Sequence, residues 1–103
     1  MDKSPVTVFC TYRVKEGCEE EFRRLLERHW PTLDRLGLVS SQPASWYRGE
    51  DKKKRVCFVE MFQWKDAEAP RTAHELPEVM SVWEPMGALL SDMEFIHVEP
   101  LEG

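Results

Sequence analysis

The chain has 103 residues, a net charge of −5 and a heavy aromatic load that includes four Trp and five Phe. That length holds one domain, residues 1–103, with a small core burying roughly 60–65% of the unfolded surface. The acidic balance argues against nucleic acid, which needs a dense basic surface, and no apolar run approaches the roughly 20 residues of a membrane helix. The start, Met1-Asp2-Lys3-Ser4-Pro5, has no apolar signal core, so the expected location is the cytoplasm. Cys10, Cys18 and Cys57 are odd in number and lack CxxC spacing, which fits neither a disulfide framework nor a zinc site.

Residues 5–14 are rich in β-branched and aromatic types and read as a strand. Val6, Val8, Cys10, Tyr12 and Val14 share one of its faces; Thr7, Phe9, Thr11 and Arg13 share the other. Residues 18–36 follow a helical period, with Phe22, Leu25, Leu26, His29, Leu33 and Leu36 on one side. Glu19, Glu20 and Glu21 suit the positive end of the helix dipole, and Gly37 suits its left-handed exit. Pro31 removes a backbone donor, which predicts a kink or break at 29–31.

After a connection over 38–43 with a short extended piece, residues 44–48 read as a second strand. Residues 49–54 read as a hairpin loop whose basic run, Lys52 to Arg55, is solvated. The third strand spans 55–64. Val56, Phe58, Glu60, Phe62 and Trp64 line one face and Cys57, Val59, Met61 and Gln63 the other, so it is expected at the centre of the sheet. Asp66 is a good helix N-cap. Pro77 and Pro85 predict a segmented helix over 67–75, 78–84 and 86–90, with Val79, Trp83, Met86 and Leu90 toward the sheet. Ser91-Asp92 reads as a turn and 93–98 as the last strand.

The order β-α-β-β-α-β predicts an α+β, ferredoxin-like domain: a four-stranded antiparallel sheet with both helices on one face. The opposite face is then bare, yet strands 1 and 3 are apolar on both sides. A soluble monomer rarely exposes such a patch, so a homodimer packed sheet to sheet is expected.

Glu60 is the most informative residue. Between Phe58 and Phe62 it is costly to bury charged, and facing a pocket it would shift toward the neutral form and serve as a proton acceptor. The competing reading pairs it with Arg13, Arg48 or a helix residue, or leaves it at a strand edge open to water. His74 is a candidate base or ligand anchor, against a structural role tying helix to sheet. His29, on the apolar side of the first helix, is a candidate for the same pocket, and His97 shares a strand face with Phe95. Trp64 and Trp83 are candidates to stack on a flat ligand, against a plain core role. Tyr12 and Tyr47 offer hydroxyls. His74-Glu75-Leu76-Pro77-Glu78 lacks the second His of a zinc protease helix, and the five Gly form no phosphate loop.

The element order, Phe62-Gln63-Trp64-Lys65-Asp66 and the later Ala73-His74, Pro77 and Trp83 resemble the antibiotic-biosynthesis-monooxygenase group of dimeric α/β-barrel proteins. The group's pattern is a third strand ending in Trp, an Asp or Ser opening a helix, and a His about three helical turns on. Here His74 follows Trp64 by 10 residues. The resemblance covers nearly the whole chain and implies a homodimer whose two sheets close a barrel, with a pocket in each subunit between sheet and helices. It implies a cofactor-independent monooxygenase acting on a small aromatic or quinol-type substrate, with no cofactor or metal. The catalytic candidates are then Glu60 and His74, and the substrate-binding ones His29, Trp64, Trp83 and Tyr12. Haem-degrading relatives use an Asn that falls near Cys10 and a His that falls near Trp83; neither is kept, which counts against that activity. The alternatives are a non-catalytic small-molecule-binding or scaffolding dimer of the same fold, and an isomerase or cyclase working without O₂.

Overall fold

The computed structural model describes residues 4–101; Met1 to Lys3 and Glu102-Gly103 lie outside the described residues. The elements run β1 (Val6–Val14), α1 (Glu19–Arg35), β2 (Ser45–Glu50), β3 (Val56–Trp64), α2 (Ala69–His74), α3 (Pro77–Ala88) and β4 (Leu90–Val98). The four strands form one antiparallel sheet in the order β2-β3-β1-β4. This is the ferredoxin-like arrangement that the element order predicts.

The alternation read from the sequence sets the layers. Val8, Cys10, Tyr12 and Val14 on β1, and Phe58, Glu60, Phe62 and Trp64 on β3, are buried under the helices. The helices meet them with Phe22, Leu25, Leu26 and Leu33 from α1 and Val79, Val82 and Met86 from α3. On the outer face Phe9, Thr11, Val59 and Met61 are only half-buried, while Tyr47 and Ile96 are exposed.

The predicted break at Pro77 occurs, separating α2 from α3, but those at Pro31 and Pro85 do not. α1 runs uninterrupted through Pro31. The ring is exposed, on the side where helix carbonyls tilt toward water, and the Thr32 hydroxyl donates to the Arg28 carbonyl one turn back at 2.7 Å. α3 likewise continues through Pro85, held by the burial of Val79, Val82 and Met86. Leu90, expected on that helix, opens β4 instead. The predicted turn at Ser91-Asp92 is a register shift within β4: Arg13 pairs with Asp92 but Val14 with Leu90. β2 also extends two residues further than predicted, to Glu50, so the hairpin loop is shorter.

One predicted helix signal operates in place, and a second, Asp66, acts in the turn before its helix, whose N-cap is Glu68. Gly37 has φ +73°, and Leu38 N–H donates to Leu33 C=O (3.0 Å) while Gly37 N–H donates to Asp34 C=O (3.0 Å), a Schellman exit from α1. Asp66 Oδ1 accepts from the backbone N–H of Glu68 and Ala69, both at 3.0 Å, and so organises the entry to α2. Asp66→Ala should therefore cost about 1 kcal/mol, lowering the melting temperature by about 4–8 °C in a thermal unfolding scan; an unchanged melting temperature would show that the turn holds itself without this carboxylate.

Candidate functional site

The inner sheet face and α2–α3 enclose a cavity of about 350 Å³. β1 contributes Val8, Cys10 and Tyr12, β3 contributes Phe62 and Trp64, and β4 contributes Met93, Phe95 and His97. The other wall is His29 of α1, Pro70 and His74 of α2, and Met80, Trp83, Glu84, Met86 and Gly87 of α3. Met93 and Phe95 are 40% and 58% exposed, because no helix covers β4.

Glu60 does not reach this wall. It lies behind it with no solvent exposure, at the convergence of four elements. Tyr12 Oη donates to Oε1 at 2.7 Å and Trp46 Nε1 donates to Oε2 at 2.8 Å. His29 Nδ1 lies 2.9 Å from Oε1 and 3.1 Å from Oε2. The far side of the same imidazole settles its tautomer. Trp83 Nε1, which can only donate, is 2.8 Å from His29 Nε2. Nε2 must therefore accept, the ring proton sits on Nδ1, and Nδ1–H donates to Glu60. Every partner of Glu60 is thus a donor, the environment of an ionised carboxylate. The expectation of a desolvated, pocket-facing Glu60 gives way to a carboxylate whose burial is offset by three side-chain donors. Its partner is a helix residue, as the competing reading held; Arg13 pairs with Asp51 and Asp92, and Arg48 with Glu19 and Glu50.

The other candidates fall around the cavity. His29 is buried, lines the wall, and packs edge-on against Phe62 at 5.6 Å. His74 is exposed at the rim, its ring 4.8 Å from that of Trp83. Trp64 is buried between Phe62 and Trp83 with ring separations of 5.1 and 6.4 Å. Tyr12 lines the wall, but its hydroxyl is committed to Glu60. Among the described residues no group of three or more His, Cys, Asp or Glu could hold a metal ion.

Sequence reasoning missed Trp46 as the fourth member of the network. The signal was present in the hairpin register: Glu50 pairs with Val56, and counting along both strands places Trp46 opposite Glu60. It also missed Cys10 as a wall residue. Burial, then the charge of Glu60, pushes the Cys10 thiol up to about 12. Burial, then Glu60, likewise raises the Tyr12 phenol well above its ordinary 10.0.

The protein shares its fold with many solved structures. SnoaB, a cofactor-independent oxygenase from Streptomyces nogalater, is 20% identical and superimposes with a TM-score of 0.72 over 97% of this chain and 96% of that one. A structure named as an antibiotic biosynthesis monooxygenase is 13% identical, with a TM-score of 0.71 over 94% and 99%. A NIPSNAP family protein from Agrobacterium tumefaciens strain C58 is 13% identical, with a TM-score of 0.67 over 99% and 90%. No protein-family model matches the chain, and no curated protein sequence does. The likeness thus establishes the fold, and it falls on the same group of proteins that the sequence resembles.

Raised acid constants set the sign of an alkaline effect. The unfolded chain releases the Cys10 proton near 9.0 and the Tyr12 proton near 10.0, before the folded chain does. Their contribution is intact below about pH 9 and is lost as the pH climbs toward 12. Urea unfolding under reductant should show stability falling over that window, each group adding up to about 1.4 kcal/mol per pH unit. Cys10→Ala should flatten the fall; parallel slopes would place the thiol in contact with water.

Proposed function

We propose that the chain is a single-domain, cofactor-independent oxygenase acting on a small aromatic or quinol-type molecule bound in the cavity between sheet and helices. The observation that supports this reading most is the Glu60–His29 pair behind an apolar, aromatic-lined cavity, with only the imidazole on the wall. In this reading His29 Nε2 is the proton acceptor, and Glu60 positions it and balances the imidazolium it becomes. That moves the catalytic assignment from Glu60 and His74 to His29, with Glu60 as positioning residue and His74 as a rim residue beside Trp83.

The chemistry takes its electrons from the substrate. His29 removes a proton from an activated CH₂ or ring hydroxyl, and the electron-rich carbanion reduces O₂ as a C–O bond forms. The imidazolium returns the proton to give a hydroperoxide, and loss of water leaves a carbonyl: CH₂ and O₂ become C=O and H₂O. A dry site protects the carbanion from reprotonation by solvent. Incubation with anthrone- and quinol-type compounds should give oxygen uptake, and His29→Gln should reduce it about 10²-fold or more while the protein stays folded by circular dichroism. Full uptake by folded His29→Gln protein would remove His29 as the base.

One observation favours the non-catalytic binding reading: His29 Nε2 already has a partner in Trp83, so the network is complete without substrate. Ligand binding with no uptake across the panel would decide for it, and turnover without O₂ would decide for an isomerase or cyclase.

The partner we propose is a second copy. The outer face carries Phe9, Val59, Met61, Tyr47 and Ile96 in adjacent strand positions, and sheet-to-sheet packing would cover them together. Light scattering should give twice the chain mass at micromolar concentration, and Met61→Glu should shift it to the monomer; a monomeric parent would exclude this interface.

A further inference from the structure

We propose that His29 Nε2 and Trp83 Nε1 form a subsite for a single neutral hydroxyl, that of a phenol or an enol, which enters between the two nitrogens. The proposal rests on the cavity being the ligand site and specifies what that site reads.

On a largely apolar wall, one nitrogen is an obligate acceptor and the other an obligate donor, and they satisfy each other at 2.8 Å. A group that separates them must replace both halves of that bond, or it strands a polar atom in an apolar site at a cost of about 1–3 kcal/mol. A hydroxyl oxygen does so alone: its O–H donates to Nε2, and its lone pair accepts from Nε1–H. A ketone or an ether has no proton for Nε2. An ammonium has no lone pair for the indole. A carboxylate would set its charge against the Nε2 lone pair, with Glu60 directly behind.

The two partners also differ in freedom. His29 cannot turn without breaking its bond to Glu60, and it is almost wholly buried. Trp83 is only half-buried on α3, so in the proposed subsite it is the indole that gives way to admit one heavy atom. A ring attached to the hydroxyl then lies along Phe62 and Trp64, while Glu84, His74 and His97 are the ionisable groups around the rest of the wall.

The same geometry favours proton transfer once the ligand is seated. The O–H bond breaks, its electron pair stays on oxygen, and the proton goes to Nε2. The phenolate then keeps two donors, Nε2–H and Nε1–H, and the imidazolium keeps its other proton on Glu60. No polar atom is left unpaired in either state.

Calorimetric titration of the full chain without O₂ tests the subsite with 2-naphthol and its methyl ether, 2-methoxynaphthalene. Naphthol should bind at least about tenfold tighter, because only its O–H can serve Nε2, and in His29→Phe, which keeps a ring and loses that acceptor, the ratio should fall below about threefold. As a check independent of any variant, the indole N–H proton resonance of Trp83 in the unaltered protein should move on adding naphthol and stay in place with the ether. Equal binding of the two, binding of neither, a ratio kept in His29→Phe, or an indole resonance indifferent to naphthol would overturn the subsite. Discrimination without oxygen uptake would leave the subsite and remove the oxygenase reading; uptake without discrimination would do the reverse.

Discussion

A carboxylate taken fully out of water costs several kcal/mol unless donors replace its hydration, and Glu60 stands at the centre of the fold in that condition. Its answer is drawn from three other elements: a phenol from β1, an imidazole from α1 and an indole from β2. The cavity wall depends on this. His29 turns its acceptor nitrogen toward the cavity because its other nitrogen is committed to Glu60, and the Trp83 indole donates to that acceptor. Burial, with the charge of Glu60 added to it, makes Cys10 and Tyr12 reluctant acids. One buried charge thereby fixes a tautomer, the place of an indole and the neutrality of two neighbours.

The division between what is buried and what is presented explains how such a site sits on a small domain. The anionic member is screened on every side, so the cavity can remain apolar and still have an oriented base at its wall. The rim differs in kind. His74 is exposed and β4 is uncovered, which leaves Met93 and Phe95 as a side the helices do not close. The stable part of the molecule and the accessible part meet along Trp83, which touches His29, Trp64 and His74.

Much of the architecture was legible in the sequence, because strand alternation and helix periodicity report directly on which face is covered. Val8 to Val14 and Phe58 to Trp64 are buried in the alternation their residue types imply. Pro77 does divide the helices as expected, but Pro31 and Pro85 were misleading because their effect was judged locally. Pro31 points outward, and tertiary packing on the opposite side of α1 outweighs one lost bond; Pro85 is overridden by the buried side of α3. Ser91 and Asp92 imitate a turn because a register shift uses the same small and polar residues. For the site, the sequence singled out Glu60 as anomalous, but alternation gives a face and not a destination. Whether that face met a cavity or a ring of donors depended on His29, 31 residues away, and Tyr12, 48 residues away. Only Trp46, 14 residues away through a hairpin, was within reach of register counting.

Those separations also impose an order on assembly. The β2–β3 hairpin is the local piece, and it can bring Trp46 alongside Glu60 while the carboxylate is still hydrated. Docking β1 and α1 closes longer loops and removes the water, so the last donors must arrive together or leave a charge stranded. A slip of one residue in either pairing of β3 would turn Glu60 to the outer face and put Val59 or Met61 among the donors. Glu60 therefore acts as a register key for the sheet: the chain reaches its lowest energy only in the alignment that lets this one side chain be desolvated, which ties the folding of the scaffold to the correct assembly of the site.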